Sequence, residues 1–164
     1  MWLKSKDNKR INRILIFTDI NLSKELEMSD NKTELLHSKE TEIIIAAFYK
    51  VYNTLGYGFL EKVYENSLLL ELQKNNLSVE QQHPIKVYYE SSIVGEYFAD
   101  LVVNDKIILE LKTAKQISKE NEYQLINYLK ATCFEVGLLL NFGDKAEFVR
   151  KIFTKNNNES ARIS

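Results

Sequence analysis

Three charged side chains stand close together on two consecutive apolar segments near the middle of the chain. Asp100 lies in the segment that ends at Val103, and Glu110 and Lys112 stand two residues apart at the end of the next segment. If both segments are strands, Glu110 and Lys112 share a face, because alternate strand residues point the same way. Two carboxylates on one face repel each other unless a cation compensates them, and Mg²⁺ and Mn²⁺ prefer oxygen ligands. The three residues therefore predict a site for Mg²⁺ or Mn²⁺.

Whether the two carboxylates meet depends on the loop that joins their strands. A strict two-residue loop turns Asp100 and Glu110 to opposite faces of the sheet. A three-residue loop pairs Val103 with Ile107 and places Asp100 directly across from Glu110, with side-chain roots roughly 5 Å apart. We therefore expect a loop of three residues, or a bulge, around 104–106.

A plainer interpretation stays open for these residues. Asp100 and Glu110 would then lie on a wet sheet face and pair with Lys112 or Lys86. Short charged patterns are common on exposed strands, so an isolated Asp and Glu-x-Lys favours this alternative.

The composition indicates one soluble domain. The chain has 164 residues, of which 45% are apolar and 27% charged, and no apolar run approaches the roughly 20 residues that a membrane span needs. We expect a cytoplasmic protein with no membrane partner. The net charge of -1 gives no whole-molecule attraction for nucleic acid, so such binding must come from a local patch or from metal. The single cysteine, Cys133, cannot form an internal disulfide, and we expect it in the core.

The hydrophobic periodicity predicts eight elements between two polar ends. The expected elements are helices at Thr41–Leu55, from Gly58 to Asn75 and at Lys119–Thr132, and strands around Ile85–Tyr89, Ile93–Val103, Lys106–Lys112, Glu135–Asn141 and Phe148–Phe153. The order α-α-β-β-β-α-β-β predicts an α/β (α+β) protein with a mixed sheet and flanking helices. On the second helix we expect an inward face of Leu60, Val63, Tyr64, Leu68 and Leu72.

The two ends of the chain are more polar than this domain. Residues 1–33 form a polar extension with one short apolar island, and a start at Met28 is an open alternative to a weakly ordered arm. Residues 34–154 form the domain, and residues 155–164 form a polar tail.

Three motifs in order resemble those of a known superfamily. The pair Phe98–Val103 and Ile107–Lys112 resembles the signature of the PD-(D/E)XK nucleases, with Ala99 where the name has proline. Gly58–Tyr64 reproduces the motif that names the GxxExxY family, a bacterial branch of that superfamily. Gln124–Tyr128 looks like the Gln-xxx-Tyr element of several nuclease branches. The resemblance implies a restriction-endonuclease-like fold and hydrolysis of phosphodiester bonds in DNA or RNA.

The resemblance also implies roles for the central residues. Asp100 and Glu110 would hold the metal together with the backbone carbonyl of Leu111, and Lys112 would orient or activate the attacking water. A bound cation lowers the pKa of water and stabilises phosphoryl oxygens, so the reaction needs neither cysteine nor histidine. The proline that Ala99 replaces would influence the backbone conformation but would not bind the metal, so the proposed ligands are unaffected.

Glu61 is a further candidate ligand. The resemblance implies that it reaches the metal directly or through water, with Gly58 allowing close approach at the helix start and Tyr64 on the same face. The alternative is a solvated glutamate that the helix dipole stabilises.

Gln124 and Tyr128 lie one helical turn apart. They could steady a phosphate or bond to the metal-bound carboxylates. Alternatively Tyr128 fills the core and Gln124 is simply exposed.

Two other function classes stay open beside a nuclease. One is a non-cleaving module on the same fold that binds nucleic acid or protein. The other is a hydrolase of small phosphorylated molecules, which a closed pocket would favour, whereas an open groove favours a polymer. A homodimer or a protein partner could help a small domain with little basic surface to hold its substrate.

Overall fold

The computed structural model describes residues 36–154, and its elements belong to one compact unit that begins at His37. The expectations for residues 1–33 and 155–164 lie outside the described residues. The elements follow the predicted order: α1 (Ser38–Leu55), α2 (Glu61–Lys74), β1 (Val79–Tyr89), β2 (Ser92–Val103), β3 (Ile107–Lys112), α3 (Lys119–Ala131), β4 (Val136–Phe142) and β5 (Ala146–Ile152). Within the described part of the chain, no helix combines the length and apolar character that crossing a membrane requires.

The strands form one five-stranded mixed sheet in the order β1-β2-β3-β4-β5. The first three strands are antiparallel neighbours, β3 and β4 are parallel, and β5 returns antiparallel to β4. A parallel pair needs a crossover, and α3 provides it. The prediction of a mixed sheet with flanking helices is confirmed.

Helices cover both faces of the sheet. On one face Tyr128 and its neighbours on α3 pack against Ile108 and Leu139. On the other face Phe142 stacks on Tyr64 of α2 with ring centroids 4.5 Å apart, and Phe48 of α1 meets its edge at 4.7 Å. Leu139 and Phe142 belong to opposite faces of β4, because side chains alternate along a strand.

The buried face of α2 differs from the expected one. Leu60 is 80% exposed because the helix begins only at Glu61 and Leu60 is its N-cap, and Val63 within the helix is also exposed. Two glutamates take inward positions instead: Glu65 pairs with one exposed lysine and Glu71 with two. The observed inward residues are Tyr64, Glu65, Leu68, Glu71 and Leu72.

Cys133 is exposed, so the expectation of a core cysteine is wrong. It lies in the short connection between α3 and β4, where the neighbouring Phe134 is buried and joins the core on the α3 face. The larger apolar side chain takes the inward position, which leaves the cysteine outside.

Candidate metal and active site

The loop between β2 and β3 determines how the charged residues meet. Val103 pairs with Ile107, so residues 104–106 form a three-residue loop, as predicted. The Lys106 amide donates to the Val103 carbonyl at 3.0 Å, and Asn104 and Asp105 both have a φ of 52°. Asn and Asp adopt this left-handed conformation more readily than other residues with side chains, which explains why they occupy the loop.

The strands separate where the carboxylates begin. The pairing of β2 with β3 ends at Leu101 and Leu109, one position before Asp100 and Glu110. The Leu111 amide then donates to Asp100 Oδ2 at 2.7 Å. The expected register is correct, but Asp100 and Glu110 are not ladder partners. The two residues therefore stand where the strands diverge.

Glu110 is the most buried carboxylate of this group. Its side chain lies beside Lys112, with Nζ 2.9 Å from Oε1, and the residue is 3% exposed. Its other oxygen, Oε2, is buried and has no hydrogen-bond partner among residues 36–154. Leaving a buried carboxylate oxygen unpaired is costly, so we expect a water molecule or an ion at this atom.

Burial disfavours ionisation of both carboxyl groups, and a neighbouring carboxylate adds to the effect at each of them. Burial, followed by the Asp100 charge, raises the pKa of Glu110 to about 7, although Lys112 opposes the shift. Burial also raises the pKa of Asp100, while the Leu111 amide and Lys112 oppose it. A nearby cation would relieve both groups.

Lys112 stays charged in this environment. Burial alone lowers the pKa of Lys112, but the charges of Glu110, Glu61 and Asp100 raise it, and the net shift is upward. The ammonium group is therefore held by a surrounding set of carboxylates.

Glu61 is the first residue of α2 and faces the same group. Burial raises the pKa of Glu61, and the charges of Asp100 and Glu65 raise it further, while Lys112 lowers it. Glu61 is thus partly buried and within electrostatic range of the cluster, and its role as a metal ligand stays a prediction.

Glu65 belongs to the same surroundings and was not among the predicted site residues. It is buried, and its Oε1 accepts hydrogen bonds from Lys62 at 2.7 Å, Gln81 at 3.0 Å and Gln82 at 3.3 Å. The available signal was its position one helical turn after Glu61.

Gln82 links β1 to the cluster. Its side chain bonds to Asp100 and lowers the pKa of that carboxyl, against the larger effect of burial. Its φ of 53° is left-handed, and the position lies between the paired residues Gln81 and His83. The irregular backbone position across from Asp100 could not be inferred from strand periodicity.

Gln124 and Tyr128 lie on the α3 side of the cluster. The Gln124 amide donates to the Tyr128 hydroxyl at 2.8 Å. Burial raises the pKa of Tyr128, the Gln124 bond lowers it, and the Glu110 charge raises it again. Tyr128 is thus part of the core, as the plainer interpretation had it, and also within electrostatic range of Glu110.

Tyr64 and Gly58 shape the start of α2. The Tyr64 side chain is fully buried, and its hydroxyl donates to the Gly56 carbonyl at 2.9 Å and accepts from the Phe59 amide at 3.2 Å. Because this hydroxyl is buried and bonded to the loop backbone on both sides, Tyr64 holds the loop before Glu61 in place. Gly58 has a φ of 105°, which side-chain-bearing residues rarely adopt.

The donor set suits a hard divalent cation. Within residues 36–154, no group of three or more His, Cys, Asp or Glu side chains is arranged to hold a metal ion. Asp100, Glu110 and the Leu111 carbonyl nevertheless offer oxygen atoms, and Glu110 Oε2 is unpaired. Mg²⁺ keeps several waters and needs only one or two carboxylates, so these residues fit such an ion.

Comparison with known proteins identifies the superfamily of this chain. A family model described as the PD-(D/E)XK nuclease superfamily matches residues 38–152. The match spans more than half of the chain, and the chain belongs to that superfamily. The mixed sheet with its flanking helices is accordingly a restriction-endonuclease-like fold.

Individual relatives are more distant. Among solved structures the chain is similar to the crystal structure of SSO0001, with a TM-score of 0.46 and 19% identity, covering 80% of this chain and 67% of that chain. It is also similar to an alkaline exonuclease, LHK-Exo, from Laribacter hongkongensis, with a TM-score of 0.38 and 12% identity, covering 71% of this chain and 80% of that chain. Comparison with curated proteins finds no significant match. Because both TM-scores are below 0.5, the assignment rests on the family match and on the sheet itself.

Proposed function

We propose that the protein is a divalent-metal-dependent nuclease that hydrolyses phosphodiester bonds of DNA or RNA. The observation that carries this proposal is the buried Glu110 carboxylate, which bonds to Lys112 through one oxygen and leaves the other without a partner among residues 36–154. Membership in a nuclease superfamily gives this arrangement its chemical context.

Four residues would hold Mg²⁺ or Mn²⁺. The ligands would be the carboxylates of Asp100 and Glu110 and the Leu111 carbonyl, and Glu61 would reach the ion directly or through water. When bound, the ion would acidify water and stabilise charge on the phosphate. Asp100 also holds the Leu111 amide, so one side chain fixes the backbone of another proposed ligand.

Lys112 would act on the substrate rather than on the metal. Its ammonium group is charged and held against Glu110 at 2.9 Å. From this place it can orient the attacking water and offset the negative charge that builds on the phosphate. Gln124 and Tyr128 would steady the phosphate or the carboxylates from the α3 side.

We also propose that the protein belongs to the GxxExxY branch of the superfamily. Each named residue of the motif has a distinct place in the structure. Gly58 adopts a φ of 105°, Tyr64 anchors the loop, and Glu61 faces the cluster. The motif thus brings a carboxylate from α2 to residues of β2 and β3.

A metal-dependent cleavage assay tests the nuclease proposal. The full-length chain is incubated with single-stranded and duplex DNA and RNA in Mn²⁺, in Mg²⁺ and in excess chelator. We expect cleavage with metal, none with chelator, and at least a hundred-fold loss in Glu110→Gln, which keeps the shape but removes the charge. Glu96→Gln is the matched control, because Glu96 is exposed on β2.

The contrary outcomes are distinct. Cleavage that survives Glu110→Gln or chelator would mean that another site or a contaminant is responsible. A wild-type protein that neither cleaves nor binds Mn²⁺ in calorimetry would be a non-cleaving module on the nuclease fold. Turnover of p-nitrophenyl phosphate without cleavage of any nucleic acid would favour a small-molecule hydrolase.

A further inference from the structure

An open groove runs between α3 and the β1–β2 hairpin. Its volume is about 740 Å³, which is within the roughly 300–1,000 Å³ of typical ligand sites. The hairpin forms one wall because residues 83–99 of β1 and β2 pair with each other but not with β3. This part of the hairpin, called the hairpin arm here, extends the sheet beyond the end of β3 and faces α3.

The groove is lined by exposed aromatic rings. Tyr88 and Tyr97 contribute from the hairpin arm and Tyr123 from α3, and each of the three is at least half exposed. The ring of Tyr97 also lies 5.8 Å from that of Tyr128, at an interplanar angle of 44°. Rings that stay exposed although they share one concave surface are available for stacking with a flat ligand.

Tyr128 connects the groove with the proposed metal site. Gln124 and Tyr128 line the groove, and Tyr128 packs in the same core cluster as Ile108 of β3. Ile108 lies two residues before Glu110 on the same face of that strand. The same tyrosine therefore borders the groove on one side and the carboxylate cluster on the other.

The groove also carries positive charge that suits a phosphate backbone. Lys86 on the hairpin arm and Lys130 on α3 line it, together with one acidic residue, Glu120. Among residues 36–154, Lys86 has no ion-pair partner that would neutralise its charge. The one acidic residue, Glu120, lies in the first turn of α3. Two lysines on facing walls fit a chain of phosphates better than they fit a neutral or acidic peptide.

We propose that this groove binds single-stranded nucleic acid, stacking unpaired bases on Tyr97 and Tyr123 and leading the strand to Asp100 and Glu110. The proposal deepens the nuclease function and rests on it for the direction of the strand. Duplex bases present only their edges, so a groove of aromatic faces selects strands whose bases are unpaired. The predicted substrate class is thus single-stranded DNA or RNA, or a single-stranded end or flap.

Binding in chelator tests the groove separately from cleavage. Fluorescence anisotropy of the full-length chain is measured with labelled single-stranded DNA, single-stranded RNA and the corresponding duplexes, all in excess chelator. We expect tighter binding of the single strands, and an affinity loss of about five-fold or more in Tyr97→Leu and in Tyr123→Leu. Tyr123→Phe should retain affinity, because it keeps the ring and loses only the hydroxyl.

Two further variants sharpen the result. Tyr89→Leu is the matched control, since Tyr89 is an exposed tyrosine of the same arm that does not line the groove. Lys86→Gln should weaken binding and reduce the salt dependence by about one phosphate contact. Unchanged circular dichroism and melting temperature confirm that the variants fold.

Several outcomes would overturn the groove proposal. No binding of single strands, a preference for duplex, or equal losses in Tyr89→Leu and Tyr97→Leu would each do so. Concentration-dependent dimers that Tyr97→Leu and Tyr123→Leu abolish, without any nucleic-acid binding, would assign the groove to a second copy of the chain. Groove-dependent binding without cleavage in Mn²⁺ would support the groove and reject the nuclease. Cleavage that the tyrosine variants leave unchanged would support the nuclease and reject the groove.

Discussion

A proton and a divalent cation would compete for the carboxylate of Glu110. The native fold raises its pKa to about 7, so near neutral pH the carboxyl is shared between protonated and ionised forms. Lys112 compensates one oxygen at 2.9 Å and leaves the other unpaired. A divalent cation would displace the proton because it compensates Asp100 as well. The same residue thus links acid–base behaviour, metal affinity and stability.

The first prediction separates metal binding from catalysis. Asp100→Ala removes a proposed ligand, so it should weaken Mn²⁺ binding and abolish cleavage. Lys112→Ala removes a positive charge beside the metal without removing a ligand, so cleavage should fall by roughly a hundred-fold while Mn²⁺ affinity holds or rises. Calorimetry and a cleavage assay measure the two effects. Activity that persists undiminished in Lys112→Ala would contradict the role assigned to this lysine.

The second prediction concerns pH and stability without metal. The folded state raises the pKa of Glu110 from 4.5 to about 7, so it binds more protons than the unfolded state between these values. The contribution of Glu110 to the free energy of unfolding is therefore fully present below about pH 4.5 and is lost as the pH rises through about 7. The upward pKa shifts of Asp100 and Glu61 act in the same direction.

Urea unfolding in chelator at pH 5 and pH 8 measures this loss. We expect the free energy of unfolding to fall by on the order of 2–3 kcal/mol, and by much less in Glu110→Gln. Glu96→Gln should keep the wild-type slope. A stability that is flat or rising in wild type, or a slope equal in Glu110→Gln, would show that Glu110 is not held in a proton-retaining environment.

At the level of elements, the segment after β3 is clamped to β4. Asn141 is fully buried, and its side chain accepts from the Ala114 amide and donates to the Ala114 carbonyl, each at 2.9 Å. Asn141 is also the β4 partner of Lys112. A β-carbon added to Gly143 would lie 1.7 Å from the Ala114 oxygen, so this contact is tight. The clamp fixes where the strand that carries Glu110 ends.

The third prediction follows from that clamp. Asn141→Ala leaves two backbone groups of Ala114 without their partners, which should lower the free energy of unfolding by about 1–3 kcal/mol. Asn53→Ala, at an exposed position of α1, should change it by no more than about 0.5 kcal/mol. Urea midpoints compare the two variants, and equal values would mean that the clamp contributes nothing.

Much of the fold could be predicted because local signals and burial agree. The helical spacing of Ile44, Phe48 and Val51 coincides with the observed buried face of α1, and Gly56 ends that helix with a φ of 70°. Ser118 caps α3 by accepting from the Asn121 amide. The three-residue loop could be inferred only from the requirement that two carboxylates meet.

The missed features all depend on contacts between distant segments. Glu65 is buried on α2 because glutamines of β1 and a lysine bond to it, and helical periodicity alone favours apolar residues at such positions. Gln82 needs a left-handed φ within a strand, which no local pattern indicates. Cys133 lies outside because Phe134 is inside. These positions were determined by tertiary partners that the sequence pattern does not contain.

On the scale of the whole molecule, the charge is nearly balanced but unevenly placed. The net charge is -1, yet burial raises the pKa values of Asp100, Glu110 and Glu61, and the Asp100 charge raises those of Glu110 and Glu61 further. Lys112 compensates only part of this charge. The fold therefore contains a local electrostatic cost that a bound cation would remove, and the stability of the domain should respond to metal.

The last prediction concerns this response. A ligand that binds only the folded state at about a hundred times its dissociation constant stabilises it by about 2.7 kcal/mol, which corresponds to a rise in melting temperature on the order of 5–10 °C for a domain of this size. We expect Mn²⁺ to raise the melting temperature of wild type and of Glu96→Gln by this amount at pH 8 relative to chelator. In Asp100→Ala and Glu110→Gln the rise should be absent or small, because a proposed ligand is missing. Differential scanning fluorimetry measures all four proteins, and an equal rise in Glu110→Gln would place the cation at other carboxylates, such as those of Glu65 or Glu71.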